Sequence, residues 1–117
     1  MTLHALAQIV AGEPDVSKVV TELADTISGA AIDVTGPSPL RPFLAAAVSR
    51  PDSCVLMVTA TAREGEDLVV EIGGLMGPEV VAWFPAWETL PHERLSPRSD
   101  TVGRRLAVLR RLVHPTG

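Results

Sequence analysis

Apolar positions along the chain change period as it is followed from end to end. Residues 2–11 and 15–28 read as two helices divided by Gly12-Glu13-Pro14, the second with Val16, Val19, Val20, Leu23 and Ile27 on one face at helical spacing. Asp15 stands where an N-cap is expected and Gly29 where that helix stops. The period then shortens. "AAIDV" (30–34) reads as a short buried strand and "EVVAW" (79–83) as another. Between them "SCVLMVT" (53–59) is a continuous apolar run, as in a parallel strand covered on both faces.

Helical signals separate these runs. Gly36 makes a turn, and a helix from 39 or 42 to 49 places Leu40, Phe43, Leu44 and Ala47 toward the core, with Ser38-Pro39 as its N-cap and N1 pair. Thr61 and Glu64 have capping-box spacing ahead of a stripe of Leu68, Val69, Ile72 and Leu75, which ends near Gly77-Pro78. A proline-punctuated loop covers 84–98, and Ser99 or Asp100 caps a last helix to about residue 113.

Strand and helix alternate three times, which predicts right-handed crossovers and an α/β fold, a three-layer parallel sheet with flanking helices. A helical lead-in over 1–28 precedes a βαβαβα unit over 30–113. Three strands make a narrow sheet, and the alternation predicts a further strand after the last helix. Residues 1–117 therefore read as one subdomain of a larger protein, with an unpaired edge that favours self-association.

Composition narrows the function. Apolar residues make up 46% of the 117 and charged ones 21%, the balance of a folded chain rather than a disordered one. The first residues lack the basic stretch of a secretion signal, no apolar run is long enough to span a membrane, and the single cysteine, Cys54, forms no internal disulfide, so the expected place is the cytoplasm. Charge is unevenly spread: residues 1–93 hold four basic against thirteen acidic side chains, a net −9, while residues 94–117 hold six arginines against Asp100, a net +5.

The stretch "AAIDVTGPSPLRPFLAAAV" (30–48) has the outline of a phosphate-binding loop, G-x-x-x-x-G-K-[ST], in which backbone amides surround the phosphates, a lysine neutralises them and a hydroxyl holds Mg²⁺. Counted from Asp33, the later signature positions fall on Ser38, Pro39 and Leu40; counted from Gly36, they fall on Arg41, Pro42 and Phe43. Neither register supplies the lysine. Pro37, Pro39 and Pro42 have no N–H to aim at an anion, Asp33 adds a repelling carboxylate, and Arg41 cannot replace three absent donors. The degenerate loop at Asp33, Gly36, Ser38, Pro39 and Arg41 is thus expected to hold no cofactor and to support no phosphoryl transfer.

Other chemistry is sparse. Cys54 opens an apolar run with no neighbouring cation in sequence and reads as core packing. His4, His92 and His114 are scattered, and Pro91 interrupts the grouping of Glu88, His92 and Glu93, so no metal site is expected. The distinctive passage is "WFPAWETLPHERLSPRSDTVGRRLAVLRRL" (83–112), which holds three of the four aromatic residues. Trp83 and Phe84 read as the end of a buried strand. Trp87 fits the core and a contact surface equally, with Arg94 beside it as a second interface candidate. On the last helix Val102, Leu106, Leu109 and Val113 share a face, with Arg104 and Arg111 opposite and Arg105 and Arg110 flanking. That basic side suits solvent or the acidic body of the chain; tracking phosphates is the alternative.

The same passage carries a family resemblance. Trp87 to Pro91, Glu93, Ser96, Pro97, Asp100, Arg105, Leu106, Leu109 and Leu112 match the W-E-T-L-P-Y-[DE], S-P-x-x-D and R-L-x-x-L-x-x-L segments of the UvrB-like N-terminal module of the Mfd family, the bacterial transcription-repair coupling factors, with His92 in place of the tyrosine. The similarity runs over about residues 20 to 113 and is strong in 83–112. It implies the first subdomain of that module, a partial RecA-like unit with a degenerate Walker A loop. It also implies a non-catalytic role inside a DNA repair protein that displaces stalled RNA polymerase and recruits UvrA. ATP and Mg²⁺ belong, on this resemblance, to distant motor domains, UvrA to the following subdomain, and RNA polymerase and DNA to the whole protein. The immediate partners of this segment would be other domains of its parent chain.

Overall fold

A computed structural model describes residues 3–25, 31–90, 92 and 96–115. Five helices form: α1 (Leu3–Ala11), α2 (Pro14–Asp25), α3 (Arg41–Val48), α4 (Ala62–Met76) and α5 (Ser99–Val113). Single 3-10 turns at Ser38–Leu40 and Pro78–Val80 lead into α3 and out of α4. The short α3 sits between α4, α1 and α2, and α1 also touches α4.

The core lies between α3 and α4. Ala45 meets Leu68 and Ile72, with Met76 and Val81 packed around them, and Leu75 and Val16 are buried as well. Burying each large aliphatic here contributes about 1.5–3 kcal/mol. α4 is the best-determined element in the sequence. Thr61 accepts the Glu64 amide and Glu64 accepts the Thr61 amide, both at 3.2 Å, which is the expected capping box. Gly77, at φ +103, ends the helix by donating its amide to Gly73 O at 2.9 Å, and Pro78 prevents continuation.

The expected parallel sheet is not formed: among the described residues there is no strand, and the three-layer α/β architecture is replaced by a helical one. Of the first predicted strand, Ala30 lies outside the described residues and 31–34 carry no regular structure. Residues 53–59 are irregular, and residues 79–83 divide between the 3-10 turn and an irregular stretch. The physical reason is pairing. An apolar run becomes a strand only when a neighbour takes its amides and carbonyls, whereas Leu56 is 80% and Val58 86% exposed on a segment that no second segment flanks in a ladder. Cys54 is likewise exposed, not packed in the core.

Smaller corrections follow from local chemistry. α2 begins at Pro14, so Asp15 lies in its first turn instead of capping it, and Ile27 and Gly29 lie outside the described residues. Ser38 makes no capping bond: Pro37 precedes the 3-10 turn and α3 starts at Arg41. In α3 the buried residues are Pro42 and Ala45, while Leu40, Phe43, Leu44 and Ala47 are half-buried. The molecule is open. Its radius of gyration is 16.2 Å against about 13 Å for a compact domain of this length, and its surface of 9153 Å² exceeds by about half what a compact chain of this mass presents.

One close approach fixes the segment after α4. The Trp83 ring lies on Gly65 in the first turns of α4, where an added methyl would overlap the ring and also press on Thr59 Oγ1. Gly65→Ala gains up to about 1 kcal/mol of helix propensity but forces the rigid indole outward, at about 1–3 kcal/mol. The expected outcome is a lower urea midpoint with unchanged slope and a red-shifted tryptophan emission; equal or greater stability would show that the ring is not seated on Gly65.

Candidate functional site

The degenerate loop lies on the surface. Asp33, Gly36, Ser38, Pro39 and Arg41 are all exposed. Gly36, Pro37 and Leu40 border an open cleft of about 230 Å³ that reaches Arg41 and Leu44. Arg41 also borders a second open cleft, of about 370 Å³, formed with Met57, Thr59, Glu64 and Leu68. The Leu40 amide donates to Pro37 O at 3.0 Å and the Arg41 amide to Ser38 O, so two of the loop's remaining donors are engaged inside the 3-10 turn. The loop offers an anion one guanidinium, Arg41, and few free amides.

The passage 79–88 and α5 form a second constellation. Glu88 reaches across the loop to the start of α5, where its Oε1 accepts the Arg98 amide at 2.8 Å and the Thr101 hydroxyl at 2.9 Å. Its own backbone amide and then the Arg98 amide lower its carboxyl pKa from the ordinary value, against an opposing effect of burial and with lesser help from the Thr101 hydroxyl and the Arg98 charge. A carboxylate ten residues upstream thus caps α5 and complements its dipole. Ser99 is the first helical residue and Asp100 the second, and Arg98 at the cap position makes no side-chain capping bond.

Arg105 is the second tether. Its guanidinium stands 4.0 Å from the centre of the Phe84 ring and 4.3 Å from that of Trp87, and its Nη1 donates to Pro85 O at 2.6 Å. A planar cation stacked on two rings while bonding a carbonyl is a geometry that arginine, and not lysine, can meet. Arg111 Nη2 donates to Glu79 O at 2.6 Å, and Arg104 pairs with Asp100 at 3.4 Å in solvent. Arg94 lies outside the described residues.

α5 is held to the loop by polar contacts. Thr101 and Arg105 are half-buried toward the loop and Val102 and Val108 are half-buried too, whereas Leu106 (60%), Leu109 (46%) and Val113 (71%) stand in solvent. Of the expected apolar face, Val102 is half-covered and Leu106, Leu109 and Val113 are turned outward. Sequence reasoning missed Glu88 as the cap and Phe84 as half of the cation stack. The signal available was an acidic residue and two aromatics, Phe84 and Trp87, a short loop before an arginine-rich helix. Trp83 keeps a packing role against α4, and Trp87 serves as a contact for Arg105 while remaining half exposed.

No family model matches the chain, and no solved structure matches it. Among curated proteins it is 51% identical over 84 residues to the transcription-repair-coupling factors of Mycobacterium bovis and Mycobacterium tuberculosis. The match covers 72% of this chain and 7% of each relative, so the chain corresponds to a small part of those proteins. The resemblance read from the residues is borne out by that identity.

Two measurements test the docking of α5. Because Glu88 is held below its ordinary pKa, its contribution is complete above the unfolded value and disappears as pH falls through the folded one. Glu88→Gln should therefore be less stable than the parent at about pH 7, with the difference shrinking as pH falls below the ordinary carboxylate pKa; a difference that stays constant with falling pH would remove the carboxylate from this role. Arg105→Lys should lose about 0.5–2 kcal/mol of stability and the tryptophan quenching that the stacked guanidinium causes, with Arg104→Lys as an inert control.

Proposed function

We infer that this chain serves as one part of a transcription-repair-coupling factor, the proteins with which it shares 51% identity over 84 residues, and that within such a protein it is a non-catalytic scaffold. The observation that carries the reading is the use made of the matched segment. Trp87 and Glu88, the centre of the W-E-T-L-P motif, hold α5 through Arg105 and the Arg98 amide. They act in assembly: the Glu88 carboxylate is spent on the Arg98 amide and the Thr101 hydroxyl.

The surface loop supports the same conclusion. It offers neither the lysine nor the hydroxyl of a Walker A site, three of its positions are imino acids, and two of its amides are already bonded. Motor activity, DNA translocation, release of stalled RNA polymerase and recruitment of UvrA are accordingly assigned to other parts of the parent protein. The reading that the arginines track DNA is weakened by the engagement of Arg105 and Arg111 with main-chain carbonyls. No helix of the described residues is long and apolar enough to cross a membrane.

Equilibrium titration of the chain with a fluorescent ATP analogue in Mg²⁺ should give no saturable binding up to about 1 mM. Binding tighter than about 0.1 mM that Arg41→Ala abolishes would overturn the scaffold reading. A duplex DNA titration in parallel should likewise be flat; steeply salt-dependent binding lost in Arg104→Ala/Arg110→Ala would favour a nucleic-acid role.

A further inference from the structure

A helix held by polar contacts presents its apolar stripe to something else. On α5 the stripe is Leu106, Leu109 and Val113, all well exposed, and Arg110 lies at its edge with no hydrogen-bond or ion-pair partner for its side chain among the described residues. Leu106 to Val113 spans seven residues, about 10.5 Å of helix.

The outer side of α4 has the complementary character. Its inner positions, Leu68, Ile72 and Leu75, are buried, which leaves Asp67, Val70, Glu71 and Gly74 outward. Val70 is 76% exposed. Gly74 leaves a shallow place in the helix surface, walled on one side by Leu3 of α1, itself 56% exposed. Asp67 and Glu71 flank this patch without an ion-pair partner among the described residues. The α4 part of this patch, Val70 to Gly74, is about one helical turn long, with Leu3 extending it sideways, and it is bordered by carboxylates where the α5 stripe is bordered by a guanidinium. Arg63, four residues before Asp67, marks the end of the acidic patch.

We propose that the chain associates with a second copy of itself, the Leu106/Leu109/Val113 stripe of α5 in one molecule seating on the Val70/Gly74/Leu3 patch of the other, with Arg110 set against Glu71 and Asp67. The contact is heterologous, because two different surfaces of the same chain meet, so assembly is open-ended and grows with concentration. The acidic body and basic α5 segment of each copy, net −9 over 1–93 and net +5 over 94–117, favour the same head-to-tail encounter. This rests on the two surfaces alone and stands apart from the scaffold reading, which a monomeric chain would leave untouched.

Sedimentation equilibrium of the 117-residue chain in reductant should show a mass that rises with concentration and a weaker association at high salt. Arg110→Glu and Glu71→Arg should each weaken association about three- to tenfold. The double variant, and an equimolar mixture of the two single variants, should recover it. Both positions are exposed, and unchanged helical circular dichroism verifies that each variant is folded. Leu109→Glu should weaken association about tenfold or more. A chain that stays monomeric at all concentrations overturns the proposal and assigns the stripe to a different partner. Association that Leu109→Glu abolishes and Glu71→Arg leaves intact overturns it in favour of α5 pairing with α5. Loss in both single variants without recovery in the double variant removes the charge pairing and overturns it as well.

Discussion

The seat of Trp83 on Gly65 links the two halves of the molecule. On one side α3 and α4 enclose a small aliphatic core of Ala45, Leu68 and Ile72. On the other, α5 packs on no other helix among the described residues and hangs from residues 79–88. The indole is one anchor of that segment on α4, and it needs a position without a side chain to do so. Val81, packed on the core, and the Arg111 bond to Glu79 O secure the same segment beside it.

From that anchor outward the interactions change in kind. Inside, stability comes from aliphatic burial; at α5 it comes from a carboxylate on a helix start, a guanidinium between two rings and two arginine bonds to carbonyls. Polar tethers are directional and individually modest, so they set where α5 lies without enclosing it. An element of this kind suits a part that positions neighbours. The aromatic and acidic residues of the matched segment are explained by this mechanical task.

Helices were readable where the information is local. The Thr61/Glu64 pair, the Leu68/Ile72/Leu75 stripe and the Gly77-Pro78 stop all act within a few residues, and α4 forms as those signals require. The apolar runs at 30–34, 53–59 and 79–83 misled because strand formation depends on a partner segment, which an isolated run does not encode. α5 misled differently. Its stripe was correctly seen, but which side faces inward was decided by Glu88 and by the Phe84/Trp87 pair, tertiary contacts that no helical period reveals. The loop at 33–43 was legible as a donor deficit, since three prolines declare it outright; its exposure and its two clefts were not. Gly65 carried a signal that helical propensity alone disguises, a glycine inside a strong helix without a turn to make.

The exposed thiol has a practical corollary. Cys54 is the one cysteine in the sequence and opens the segment that carries the solvent-facing Leu56 and Val58. A maleimide dye therefore reacts at a single defined place, remote in sequence from α5, and gives a reporter for that segment without any substitution. Left to air, the same sulfur couples two molecules covalently, so a mass doubling that dithiothreitol reverses speaks of oxidation and says nothing about helices.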